Sequence, residues 1–306
     1  MTQLTIRSGT SAVSFVQEKK DVTSNVRRRL HARSPLSALL LFMILMAADA
    51  KAVLAQEADM ATAVCGSIRE PFMFWLWHTL AGSPSQERLA HIRNVEPSRF
   101  RTRDGVELGG YKLATTNPQG YLLVAQGNAM LADQLVADLQ RFRDLKLDVY
   151  IFDYRGYGLS QGKSRLAAIV ADYAEIVAHL NTLGYARHLL YGISMGGVVL
   201  LNAVGRSQTY TRLVVDSSPS RISGLGCPER YDPVRHLPED SSPIMLISGD
   251  RDWVVTSKQM DELMQVAGQR GARVVRDPEF AHPYQDASSE THRRRGQAVA
   301  EFLMSD

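Results

Sequence analysis

The chain has 306 residues, 45% of them apolar, which is enough for one large domain with an appendage. Its net charge of +3 is concentrated at the start: residues 1–55 hold eight Lys or Arg against three Asp or Glu, leaving the rest near neutral at −2. No basic stripe remains outside that leader, which excludes a nucleic-acid partner of the usual electrostatic kind.

Lys19, Lys20, Arg27, Arg28, Arg29 and Arg33 precede a 13-residue apolar run at 36–48. A spanning helix takes ~20 residues, so this run has the length of a signal-peptide core. Ala48 and Ala50 follow in the Ala-x-Ala sense. The expectation is an exported protein, periplasmic or extracellular, with membrane anchoring by residues 36–48 as the alternative. Residues 1–55 are thus read as a targeting leader, 56–86 as an aromatic-rich segment and 87–306 as the main domain. Within the middle segment Pro71 to His78 holds Trp75 and Trp77. It is read as a lid or membrane-interfacial element, or as a helix that packs its aromatics onto the main domain. Cys65 and Cys227 either pair or stay as two buried thiols.

From about Glu87 the pattern becomes extended. Asp104-Gly105 makes a hairpin turn between alternating residues from Phe100 to Leu113, and Asn117-Pro118-Gln119-Gly120 turns into the run Tyr121–Ala125. Strand and helix then alternate. Leu131, Leu135, Leu139 and Phe142 share a helical face ahead of the strand Val149–Phe152, and Leu166 to Leu180 form a longer amphipathic helix. Leu213–Val215 and Ile244–Ile247 are continuous apolar runs, as strands covered on both faces require. Met260 to Ala267 read as a helix, Ala272–Val275 as a strand and Ala298–Leu303 as a last helix. The pattern predicts an α/β fold: a doubly wound, mostly parallel sheet with an antiparallel N-terminal hairpin.

The pattern Gly-x-Ser-x-Gly occurs twice, at 158–162 and 192–196. Only the second has an apolar strand running into it and a helical run, Gly197 to Val204, leading out. That context makes Ser194 a nucleophile elbow and leaves Ser160 as a loop serine. It also sets the backbone N–H of Met195 at a helix N-terminus, where an oxyanion would form.

A serine becomes a nucleophile when a base takes its proton and a carboxylate orients the base. In this fold class the order along the chain is Ser, acid, His. Of the histidines after Ser194, His236 precedes the strand that delivers the acid. His292 lies among Arg293, Arg294 and Arg295, which read as a solvated face. His282, in the loop between the last strand and last helix, is the candidate base. Asp252 is the favoured acid because it precedes the apolar turn Trp253-Val254-Val255; Asp250 and then Asp216 are the alternatives. The loop Gln126-Gly127-Asn128-Ala129 is expected to supply the second oxyanion donor through the Asn128 N–H, with the Ala129 N–H as the alternative.

Four features carry a resemblance to the α/β-hydrolase superfamily, over roughly Glu87–Asp306: Gln126-Gly127-Asn128-Ala129, Asp153-Tyr154-Arg155-Gly156-Tyr157-Gly158, the Ser194 elbow, and Asp252 with His282. The chain resembles the small serine hydrolases with little or no cap, esterase- and lipase-like or serine aminopeptidase-like. The family usually has His-Gly where Gln126-Gly127 stands. The resemblance implies hydrolysis of an ester, thioester or acyl-lipid substrate through an acyl-enzyme, with no metal or organic cofactor and with a membrane surface as a further partner. Peptide or amide hydrolysis, and a non-enzymatic binding protein on the same fold, are the alternatives. Residues 217–243, where relatives insert a helical cap, are only 27 long and contain five prolines, which predicts an open site.

Overall fold

The computed structural model describes residues 63–305 apart from 208. The leader, including the apolar run at 36–48 and the basic residues before it, lies outside the described residues.

One eight-stranded sheet dominates, in the order β1-β2-β4-β3-β5-β6-β7-β8. Strands β1 (Val95–Arg101) and β2 (Glu107–Leu113) form the expected hairpin, turning at Asp104-Gly105, and β2 pairs antiparallel with β4 (Leu147–Phe152). From β4 onward all pairings are parallel, through β3 (Gly120–Ala125), β5 (Arg187–Ile193), β6 (Arg212–Asp216), β7 (Ile244–Gly249) and β8 (Arg273–Asp277).

Alternation along β3 shows how the sheet is covered. Tyr121, Leu123 and Ala125 pack into one core, and Leu122 and Val124 into the other. The first core takes the apolar faces of α1 (Arg69–Ala81), α3 (Leu166–Leu180), α4 (Met195–Val204) and α5 (Ser257–Gln269). The second takes α2 (Ala132–Leu139) and α6 (Ser289–Met304). The chain leaves β3 toward β4 on one side and the sheet continues through β5 on the other. The carboxyl ends of β3 and β5 therefore flank the crevice where open α/β sheets bind ligands.

The aromatic segment is helix α1. Phe74 is buried and Trp77 packs against the first core, whereas Phe72 and Trp75 stay exposed. Buried Glu70 ties the helix down: its carboxylate accepts from the N–H groups of Cys65 at 2.6 Å and of Leu166, at the start of α3, at 2.9 Å. Cys65 and Cys227 are joined by a disulfide across 162 positions.

The alternative drawn from the sequence, a membrane anchor, is not supported. Among the described residues no helix is long and apolar enough to cross a membrane. Helix α1, at 13 residues, spans only about 20 Å against a hydrocarbon core of about 30 Å.

Residues 217–243 form no long helix, as their prolines predict. They fold into three short 3-10 turns, Ser223–Leu225, Glu229–Tyr231 and Pro233–His236. Fully buried Asp232 organises them, accepting from the N–H groups of Ile222 and Ser223, both at 2.8 Å, and from the Ser223 hydroxyl at 2.9 Å.

Candidate active site

Ser194 sits between β5 and α4 with φ +53° and ψ −115°, a conformation that costs a non-glycine residue about 1–3 kcal/mol. The surroundings hold it there. Its N–H donates to the Asp216 carbonyl at 2.8 Å, and its own carbonyl accepts from the Ser218 hydroxyl at 2.6 Å. Both glycines of the pattern are required by close approach. A Cβ on Gly192 would lie 2.6 Å from the Gly197 Cα, and one on Gly196 would lie 1.9 Å from the Ala125 carbonyl oxygen. The elbow is thus wedged against the end of β3, beside the loop 126–129.

The other serine of the repeated pattern does something else. Ser160 is buried, donates to the Asp153 carbonyl at 2.6 Å and accepts from the Gly109 N–H at 3.0 Å, stitching its loop to β2. The whole Asp153–Gly158 stretch is a brace. The Asp153 carboxylate accepts from Ala132 N–H at the start of α2 (2.7 Å) and from Leu159 N–H (2.9 Å), and Arg155 pairs with buried Asp172 and with Asp104.

His282 follows β8, and its Nδ1 lies 2.9 Å from Oδ2 of Asp252, which follows β7. Asp252 is 4% exposed, and its Oδ1 accepts from the N–H groups of Val254 and Val255, both at 2.8 Å. Burial pushes this carboxyl up, but the His282 hydrogen bond and the two backbone donors outweigh it and hold the group below the ordinary aspartate range. One oxygen is therefore fixed by the apolar turn while the other holds the imidazole. Asp250 is exposed and accepts from the Ser257 hydroxyl at 2.9 Å, and Asp216 pairs with Arg295 at 2.7 Å. Neither alternative acid meets His282 by a hydrogen bond.

The loop after β3 lies against the elbow: a Cβ on Gly127 would stand 3.7 Å from that of Ser194. Gln126 is fully buried, its carbonyl accepting from the Tyr154 hydroxyl and its Oε1 from the Tyr173 hydroxyl at 3.4 Å. Asn128 Oδ1 accepts from Ala129 N–H at 3.2 Å and from the Tyr157 hydroxyl at 3.4 Å, and Tyr157 in turn packs edge-on to Phe74 of α1. Met195 is the first residue of α4, where a backbone N–H has no partner within the helix. No group of His, Cys, Asp and Glu among the described residues is arranged to hold a metal ion.

Fold and geometry together agree with known proteins. The esterase Pf2001 of Pyrococcus furiosus superposes with a TM-score of 0.57 at 17% identity, covering 68% of this chain and 91% of that one. XC6422 of Xanthomonas campestris, an α/β serine hydrolase without a lid, gives a TM-score of 0.54 at 16% identity over 70% of this chain and 97% of that one. The chain has the α/β-hydrolase fold. It is the small form, without a large cap. The family model for serine aminopeptidase, S33, matches residues 116–224, which take in the loop after β3 and the elbow. Among sequence relatives, Escherichia coli YfhR is 23% identical over 234 residues, 69% of this chain and 81% of YfhR. Bem46 of Schizosaccharomyces pombe is 25% identical over 216 residues, 62% of this chain and 72% of Bem46. The fold and the matched stretch agree with a serine hydrolase, and a small ester or acyl substrate fits that activity.

The sequence did not reveal the surroundings of α6. Arg295 is buried, 2% exposed, between Asp216 and Asp286, and His292 contacts Asp138 at 2.9 Å. Three consecutive arginines give no periodic signal, and the carboxylates that draw one of them inward lie far off in sequence or in a loop.

Proposed function

We propose that this hydrolase cleaves carboxylic esters or thioesters through an acyl-enzyme, with Ser194 as nucleophile, His282 as general base and Asp252 as its orienting acid. The supporting observation is that a strained serine at an elbow and a histidine held at 2.9 Å by a buried carboxylate both follow the carboxyl ends of parallel strands of one sheet. In this reading Ser194 Oγ attacks the carbonyl carbon as His282 Nε2 takes its proton. The negative oxygen is met by the backbone N–H groups of Met195 and Asn128. His282 then protonates the leaving alcohol or thiol, and water, deprotonated by the same imidazole, releases the acid. Asp252, kept ionised by Val254 and Val255, stabilises the imidazolium throughout.

Fluorophosphonate labelling with the modified residue located by mass spectrometry tests this reading. The expected result is one adduct, on Ser194, absent from Ser194→Ala and much slowed in His282→Ala. A folded chain that takes no label, or takes it on Ser160, overturns it. The match to the serine aminopeptidase model supports a second reading, in which the same residues cut a peptide or amide bond. Comparing kcat/KM on matched p-nitrophenyl esters and amino-acid p-nitroanilides decides between them, and a preference for the anilides selects the second.

A further inference from the structure

The mechanism leaves one buried ionic cluster unused, and that cluster touches both halves of the site. The Arg295 guanidinium donates to Asp216 Oδ1 at 2.7 Å, to the two oxygens of Asp286 at 3.0 and 2.9 Å, and to the Ala281 carbonyl at 2.6 Å. Asp286 accepts in turn from the Ala281 N–H at 2.9 Å. The peptide groups on both sides of Ala281, directly before His282, are therefore gripped by one ion pair. Arg295 also stacks over the Phe280 ring at 4.2 Å, and the Phe280 carbonyl accepts from Arg251 N–H in the loop that carries Asp252. At the other end, the Asp216 backbone carbonyl receives the Ser194 N–H at 2.8 Å.

Resting on the reading of His282 as the base, we propose that Arg295 is a positioning residue: with Asp286 it clamps the backbone of the His282 loop, and through Asp216 it sets that loop in register with the Ser194 elbow. A guanidinium suits this task because its planar fork reaches several acceptors at once, which an ammonium cannot. Burying three charges is costly in itself, so an apolar packing would serve stability as well; what the ionic version adds is directed hydrogen bonds to a particular peptide. Burial works against the charge on Arg295, but Asp216 and Asp286 more than restore it. Burial likewise pushes Asp286 up, yet His292 and Arg295 bring it far below the ordinary aspartate range.

The test measures kcat and KM on a p-nitrophenyl ester, together with the urea midpoint, for the full chain and three variants. Arg295→Met should lower kcat about 100-fold with KM unchanged, the size of effect that a roughly 1 Å misplacement produces. Asp216→Asn/Arg295→Met removes the fully buried one of the two carboxylate charges that Arg295→Met orphans and should recover part of the urea midpoint while kcat stays about 100-fold low. Arg295→Lys keeps a cation against Asp216 and should rescue folding fully but kcat only in part. If kcat in the double variant recovers along with stability, or if kcat per folded molecule is unchanged in Arg295→Lys and Arg295→Met alike, Arg295 serves the fold alone and the proposal falls. A wild-type chain that takes no label on Ser194 marks instead the failure of the serine-hydrolase reading.

Discussion

The two sides of the crevice are built from different materials. The His282 side rests on charge: Asp252, Asp286, Asp216 and Arg295 are joined by short hydrogen bonds and shielded from water. The Gln126–Ala129 side rests on neutral groups. The hydroxyls of Tyr154, Tyr157 and Tyr173 reach its loop, the latter two at 3.4 Å, and behind them stands α1, fastened by a disulfide. A histidine proposed to serve as base and take charge benefits from fixed, directional partners. A loop that offers a backbone N–H needs a rigid shape more than a strong field. The contrast teaches where each kind of perturbation should act: charge changes on the first side should cost turnover, whereas changes on the second should cost mainly stability.

The largest break is expected from the groups proposed to carry the reaction. Ser194→Ala should lower kcat by about 10⁶-fold, with folding unharmed because alanine removes only the hydroxyl; steady-state ester hydrolysis measures it. Next comes Asp252→Asn, expected to lose about 10⁴-fold in kcat because the amide no longer favours the right imidazole tautomer. Asp250→Asn, on an exposed oxygen two residues earlier, should stay within a factor of two or so of wild type; equal losses in both variants would erase the distinction between the two acids.

On the neutral side, Cys65→Ser/Cys227→Ser should lower the unfolding free energy by about 2–5 kcal/mol, since the bridge closes a loop of well over a hundred residues in the unfolded chain. Urea titration with and without reductant measures this, and an unchanged midpoint would count against it. Tyr157→Phe removes one long hydrogen bond to Asn128 and should change kcat by no more than several-fold, about 1 kcal/mol. A loss of a hundredfold would mean that the loop depends on that hydroxyl.

Acid sharpens the comparison further. Asp252 and Asp286 both sit below their ordinary pKa when folded, so the stability they contribute is fully present above about pH 4–5. It should drain away as pH falls through the depressed native values. The hydroxyl-built side has no such carboxylates at the loop. Unfolding titrations from pH 6 to pH 3 should therefore show falling stability, and a rise would contradict the assignment.

Much of this was legible in the sequence, for reasons that differ by residue. The elbow at Ser194 was readable because such a turn needs glycines at fixed offsets, and the pairing of Asp252 with His282 because topology fixes the order of the loops that carry them. Strands β3 to β7 announced themselves as apolar runs; β8, with Arg273, Val274 and Arg276 exposed, announced itself less clearly. Arg295 was hidden because a charge's burial depends on partners that local pattern does not show: Asp216 is 79 positions away. The start of α6 was missed with it, since the buried face there is Thr291, Arg295 and Gly296 instead of an apolar stripe. The pairing of Cys65 with Cys227 was open for the same reason of distance.

That bridge also divides the molecule mechanically. Ser194 and the loop after β3 lie inside the covalent ring it closes, whereas Asp252 and His282 lie outside, on the tail beyond Cys227. Pulled by its two ends, the oxidised chain would transmit force through the bond and leave the ring slack. Its contour would fall short by roughly 55 nm, at ~3.5 Å for each of the bypassed residues. Traction would thus strip Asp252 and His282 from the sheet while the strand leading into Ser194 stayed unstretched, so the two halves of the candidate site would fail at different forces.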